Sequence, residues 1–157
     1  MKIIVLAPSA GGKSTLMRYL RHHTKLNVAE MDEEIVKANN NKWPSDDDYK
    51  NQVLVPKITK EIIEKDEVTY FTSYIPIHLV QKAKDNGFRI ILLNLSLEQL
   101  IARNTERMKS EGYDDASRWF EIQLKGYKEL QDAGLIDEVF DADIPTNKIA
   151  DHISGVT

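Results

Sequence analysis

The segment Ala7-Pro-Ser-Ala-Gly-Gly-Lys-Ser14 constrains this chain more than any other stretch of it. It is preceded by Lys2-Ile-Ile-Val-Leu-Ala7, a continuous apolar run rich in β-branched residues. Such a run reads as a strand buried on both faces, as in a parallel sheet. It is followed by Lys13 to His23, where Leu16, Met17 and Leu20 recur at helical spacing. The segment between matches G-x-x-x-x-G-K-S/T, except that Ala7 stands at the first glycine. Gly11 and Gly12 let the backbone curl, so that successive N–H groups from Ser9 and Ala10 onward can face phosphate oxygens. A helix opening at Lys13 adds its positive end. In this pattern Lys13 sets an ammonium against phosphate, Ser14 offers a hydroxyl to Mg²⁺, and Thr15 reaches an α-phosphate.

The remaining pattern alternates strands and helices. Leu26–Ala29, Val68–Thr72, Arg89–Leu95 and Asp137–Phe140 read as strands. Asp32–Ala38, Pro76–Asn86, Ser96–Lys109, Ala116–Ala133 and Thr146–Ile153 read as helices. Ser45 followed by Asp46, Asp47 and Asp48 is expected to cap a long helix that reaches Lys65, with a break near Pro56. This order predicts a three-layer α/β/α sandwich with a five-stranded parallel sheet. The whole of 1–157 is expected to be a single domain. Two segments interrupt the alternation: a helical insertion over 33–66 and a helix–break–helix over 103–131, of which 103–118 is the lid-like part. Both follow strand C-terminal ends, where open α/β sheets place their ligands. They are read as an acceptor-binding insertion and a lid-like segment.

Charge and composition exclude several classes. The chain has no cysteine, so no thiolate metal site, disulfide or cysteine nucleophile exists. That suits a cytoplasmic protein. The apolar run Ile3–Ala7 is too short for a membrane span or signal core, and no membrane partner is expected. A formal charge of −4 advertises no broad basic surface and does not favour nucleic acid. His22, His23, His78 and His152 show no metal-ligand spacing.

Arg103 and Arg107 lie four apart on one helix face and can point into one cleft. Arg118 follows the Gly112 break on the returning side of the lid-like segment. Guanidinium groups there can pair with a γ-phosphate on closure. The alternative is a solvated charged face beside Glu98, Glu106 and Glu111. Trp119 reads as packing onto the core, Trp43 as a loop residue able to stack on a ring, and Tyr74 as facing the cleft by topology.

With its loop, the chain resembles the P-loop kinases of the nucleoside monophosphate kinase and shikimate kinase type. Further matches are Ala29-Glu-Met-Asp-Glu-Glu34 after the second strand, Phe71-Thr-Ser-Tyr-Ile-Pro76 after the third, Leu95–Arg103 leading into the lid, and Val139-Phe-Asp-Ala-Asp143. The resemblance implies ATP and Mg²⁺ as cofactors. It implies that Asp32 orients or deprotonates the acceptor, or holds Mg²⁺ through water. It also implies that Asp143 lies beside the adenine base. The chain departs from the pattern at Thr72 and Ser73, where many relatives carry a Walker B Asp. It departs again after Pro76, where Ile77 replaces the Arg of monophosphate kinases. These departures favour a kinase acting on a hydroxyl of a small or nucleotide-like acceptor. A nucleoside monophosphate kinase, a kinase of a DNA or RNA hydroxyl, and a nucleotide-binding switch are the alternatives.

Overall fold

The computed structural model describes residues 1–141 and 143–155. Its centre is a parallel sheet of five strands, β1 (Lys2–Leu6), β2 (Val28–Glu30), β3 (Val68–Thr72), β4 (Arg89–Asn94) and β5 (Glu138–Asp141). The order across the sheet is β2-β3-β1-β4-β5, with every pair parallel. The chain leaves β1 for one side of the sheet and later returns to the other. The switch point therefore falls at the C-terminal end of β1, where open sheets form a crevice.

Alternation along the strands builds two cores. Ile4, Leu6, Tyr70, Ile90 and Leu92 face one side. There they meet Ile35 of α2 (Met31–Ala38), Ile58 and Ile62 of α4 (Val55–Ile63), Leu79 of α5 (Ile77–Asp85), and Tyr127 and Leu130 of α7 (Phe120–Asp132). Ile3, Val5, Phe71, Ile91 and Leu93 face the other side, against α1 (Lys13–His23) and α8 (Thr146–Ser154). Strands buried on both faces explain their unbroken apolar sequence. The expected three-layer sandwich is the fold observed. A third, small cluster of Ala10, Leu95, Leu100 and Phe120 seats α6 (Leu97–Ser110) and the start of α7 against the Ala7–Ser14 loop. No helix among the described residues is long and apolar enough to cross a membrane.

Three local expectations are corrected. The cap of the long helix is Asp46, not Ser45: its Oδ1 accepts the backbone N–H groups of Asp48 at 2.9 Å and Tyr49 at 3.2 Å. Nor does the helix break at Pro56. It runs from α3 (Asp47–Tyr49) through a π-turn at Lys50–Leu54 into α4, where Val55 N–H bonds Lys50 O. Pro56 has no N–H for the carbonyl four residues back, and its ring crowds that turn. Widening the preceding turn accommodates both effects. Finally, Trp119 is 42% exposed, and its neighbour Phe120 fills the core position.

Candidate active site

The register of β1 against β3 pairs Leu6 with Thr72, and Ala7 N–H continues the ladder to Thr72 O at 3.2 Å. The loop after β1 therefore starts beside Ser73. Its curl is fixed by Gly11 N–H donating to Pro8 O at 2.8 Å. A Cβ on Gly11 would stand 2.7 Å from that same oxygen. Ala10 and Gly12 take positive φ, 66° and 90°. Gly12 is the N-cap residue of α1, with no side-chain cap and no acid in the first turn. The first N–H groups of α1 are thus free to meet an anion, and the helix dipole favours one.

Lys13 reaches back across this loop. Its Nζ donates to Ser73 Oγ at 2.9 Å and Ala7 O at 3.2 Å. Burial holds its pKa below the ordinary lysine value, against the opposing pull of Asp32 and Glu30 and with a push from Arg107. These influences bring Lys13, Glu30, Asp32 and Arg107 into one electrostatic group. Glu30 carries no separate signal in the sequence. It ends β2 and caps α2, its Oε2 accepting Glu33 N–H at 2.9 Å. Burial, then the neighbouring Asp32, pushes its carboxyl above the usual range. Asp32 is exposed in the first turn of α2.

The expected arginines divide. Arg103 leans over the loop, its guanidinium 3.4 Å from where a Cβ on Gly12 would stand. With Gly11, Gly12, Thr15, Asp141 and Thr146 it lines a cleft of about 220 Å³. Arg107 stacks on Tyr113 at 4.3 Å and stays within electrostatic reach of Lys13. Arg118 is exposed and stacks on Trp119 at 4.6 Å, so it is not gathered with the other two. Asp141 lines the cleft, while Asp143 is exposed in the following turn. Ala142, in the matched segment, lies outside the described residues. Ser9 and Ala10 are partly buried and buried, and Ser14 and Thr15 are exposed at the start of α1.

One helix braces both sides of the site. Gln123 of α7 accepts Ser9 N–H at 3.1 Å and donates to Ser9 Oγ at 3.2 Å. Tyr127 donates its hydroxyl to Ser73 O, the residue that also holds Lys13. Between them Gly126 receives the ring of Tyr74, whose Cε2 would lie 2.9 Å from an added Cβ. Positions 123, 126 and 127 share a helix face. In sequence Gln123 reads as an ordinary polar residue of an amphipathic helix; only the tertiary fold buries it.

No family model matches the chain, and no curated protein matches it. Among solved structures it is similar to shikimate kinase from Aquifex aeolicus, with a TM-score of 0.70 and 19% identity over 98% of this chain and 94% of that one. It is similar to a gluconokinase from Sinorhizobium meliloti, with a TM-score of 0.66 and 18% identity over 99% of this chain and 90% of that one. A sugar kinase from Janibacter gives 0.68 and 16% over 98% and 92%. The chain spans nearly the full length of each. What they share with it is the fold, which is that of the P-loop kinases of the shikimate kinase type.

Proposed function

We propose that this chain is an ATP-dependent phosphotransferase that moves a γ-phosphoryl group to the hydroxyl of a small molecule. The observation that carries this reading is Lys13, held between the phosphate-type loop and Ser73 with Glu30 and Asp32 acting on it. Phosphoryl transfer asks a protein mainly for positioning and neutralisation of charge. The loop N–H groups and the start of α1 would bind the phosphates, and Lys13 would leave Ser73 for the β,γ oxygens. Arg103, already over Gly12, and Arg107 would spread the charge of the transferring group. In the step itself the acceptor oxygen bonds to the γ-phosphorus and the bond to the β,γ-bridging oxygen breaks. ADP departs, and the hydroxyl proton passes to the Asp32 carboxylate. Thr15 and the cleft toward Asp141 would hold the α-phosphate and nucleoside.

The residues fit Mg²⁺. Ser14, Asp32 and Glu30 offer hard oxygen donors, the ligand type Mg²⁺ takes when it binds together with a nucleotide through one or two protein groups. When bound, it neutralises phosphate charge. Arg118 would join the site only by leaving Trp119 as the 103–118 segment closes.

The test is ADP release with ATP and Mg²⁺ against hydroxy acids, sugars, nucleosides, nucleoside monophosphates and 5′-hydroxyl DNA. Acceptor-stimulated release is expected from a small alcohol, and Asp32→Asn should lower it far more than it lowers ATP binding. Tight ATP binding with no stimulation by any of them would overturn the reading in favour of a nucleotide-dependent switch.

A further inference from the structure

We propose that Asn104 is the positioning residue of the lid-like segment: it fastens the returning end of that segment, 115–117, to α6 and leaves 105–114 as the part that moves when nucleotide binds. This rests on the phosphotransferase reading above. Asn104 stands one turn after Leu100, and these two are the buried residues of α6. An apolar side chain would serve packing there, yet the position carries an amide that is only 6% exposed. Both ends of that amide go to the returning chain. Its Nδ2 donates to Asp115 Oδ1 at 2.8 Å, and its Oδ1 accepts Ala116 N–H at 3.0 Å. Asp115 Oδ1 also accepts Ser117 N–H at 2.9 Å. The bonds from Ser117, then that from Asn104, hold the Asp115 carboxyl below the usual carboxylate range. A carboxylate only accepts and a backbone N–H only donates, so a single orientation of the amide satisfies both.

What Asn104 fastens stands beside the phosphate loop. Ala116 packs against the cluster of Ala10, Leu95, Leu100 and Phe120, and Ala10 is a left-handed residue of that loop. Arg103, which leans over Gly12, directly precedes Asn104, and Arg118 directly follows Ser117. Near the end of α6 there is a second tie, where Arg107 stacks on Tyr113 at 4.3 Å. The two ties differ in kind. The amide is buried, so water competes poorly for its bonds. The Tyr113 ring is 50% exposed, and a cation–π contact in water is weak. Arg107 also lies within electrostatic reach of Lys13. A triphosphate beside Lys13 would draw Arg107 away from Tyr113 and leave Asn104 in place. The segment then closes at one end while it stays anchored at the other.

The test uses the full chain with Mg²⁺ and a non-hydrolysable ATP analogue. Trypsin cleavage after Arg107, Lys109 and Arg118 is timed with and without the analogue, and ADP release is measured with the best acceptor of the panel above. In the wild type the analogue should slow cleavage after Arg107 and Lys109 at least tenfold and change cleavage after Arg118 less than threefold. Asn104→Ala should speed cleavage after Arg118 at least tenfold. It should lower kcat at least tenfold while affinity for the analogue moves less than threefold. Asp115→Ala breaks the same tie from its exposed side and should act likewise, which keeps the test alive if Asn104→Ala does not fold. Asn104→Asp alone sets two carboxylates together and should be as harmful. Adding Asp115→Asn rebuilds each bond with the groups exchanged, because the new carboxylate can accept from Ala116 N–H and from the new amide, whose oxygen can accept Ser117 N–H. This double variant should return kcat and the resistance after Arg118 to within threefold of wild type. The proposal would be overturned if the exchange restored neither, if the analogue left cleavage after Arg107 and Lys109 unchanged, or if the single variants lowered Tm without moving kcat or cleavage after Arg118. No ADP release from any acceptor, with resistance after Arg118 still following the exchange, would sink the phosphotransferase reading and leave the fastening in place. Acceptor-stimulated ADP release indifferent to Asn104→Ala and Asp115→Ala would do the reverse.

Discussion

Gly11→Ala isolates the steric demand of the loop. Gly11 does not take a left-handed φ, so the substitution carries no dihedral penalty of that kind. Its whole cost lies in the space around the new methyl group. That methyl would stand 2.7 Å from Pro8 O and 2.9 Å from Pro8 Cδ. The carbonyl is backbone, and the proline ring is rigid, so neither can swing away. It is also the acceptor for Gly11 N–H at 2.8 Å, and relief of the clash would stretch that bond. Overpacking of this kind costs about 1–3 kcal/mol. A weakened buried hydrogen bond adds about 1 kcal/mol. The sum, about 2–4 kcal/mol, corresponds to a Tm lowered by roughly 5–15 °C for a chain of this size. Urea and thermal unfolding give the stability, and titration with a fluorescent ADP analogue gives the affinity. Both should fall together, because the same oxygen sets the curl and the direction of the N–H groups. A variant with unchanged Tm and unchanged nucleotide affinity would refute the steric account and the loop geometry on which it stands.

Lys13→Met should abolish transfer without lowering Tm at neutral pH, since burial holds the lysine below its ordinary value of 10.5 and its charged form is the unfavoured one in the fold. Because the folded value is the lower, wild-type stability should gain on Lys13→Met as pH rises toward 10.5, a trend read by urea unfolding across pH. Glu30→Gln keeps an acceptor for Glu33 N–H while removing a carboxyl whose folded value lies above the ordinary 4.5. Wild type should lose stability relative to this variant as pH climbs through 4.5 to the raised value, so the variant is the more stable at pH 7 while its transfer falls. Gln123→Leu leaves Ser9 N–H without its partner and should cost about 1–3 kcal/mol in unfolding experiments. It should also weaken nucleotide binding, which Gln123→Glu, still an acceptor, should partly restore.

The loop and its setting were legible because the constraint is local: apolar strand, two adjacent glycines, lysine, helix. The layer order followed from β1, β3 and β4, whose unbroken apolar runs leave few readings besides a covered parallel strand. Less local features escaped. Ser45 and Asp46 are both capping residues ahead of acids, and only the path of the chain selects Asp46. Pro56 signals a break in any single-residue rule, but a five-residue π-turn absorbs it at the scale of the whole helix. Glu30 stands between Ala29 and Met31 and Gln123 between Ile122 and Leu124, ordinary polar positions along the chain, and only the tertiary fold carries them to Lys13 and Ser9. Arg118 has the right sequence position for a lid and an aromatic neighbour that holds it outward.

Helix α7 grips the phosphate loop through Gln123, the Lys13 partner through Tyr127, and the Tyr74 ring through Gly126, all on a single face. A rigid rod with three such attachments cannot slide or rotate at one without disturbing the others. On the function proposed above, a nucleotide at one end of α7 and an acceptor at the other would be linked through it. By whatever factor a bound nucleotide alters affinity for the second ligand, that ligand must alter affinity for the nucleotide equally. Order of addition would be a matter of concentration, and Gln123→Leu, which frees one of the three attachments, should change the shared factor as well as the nucleotide affinity.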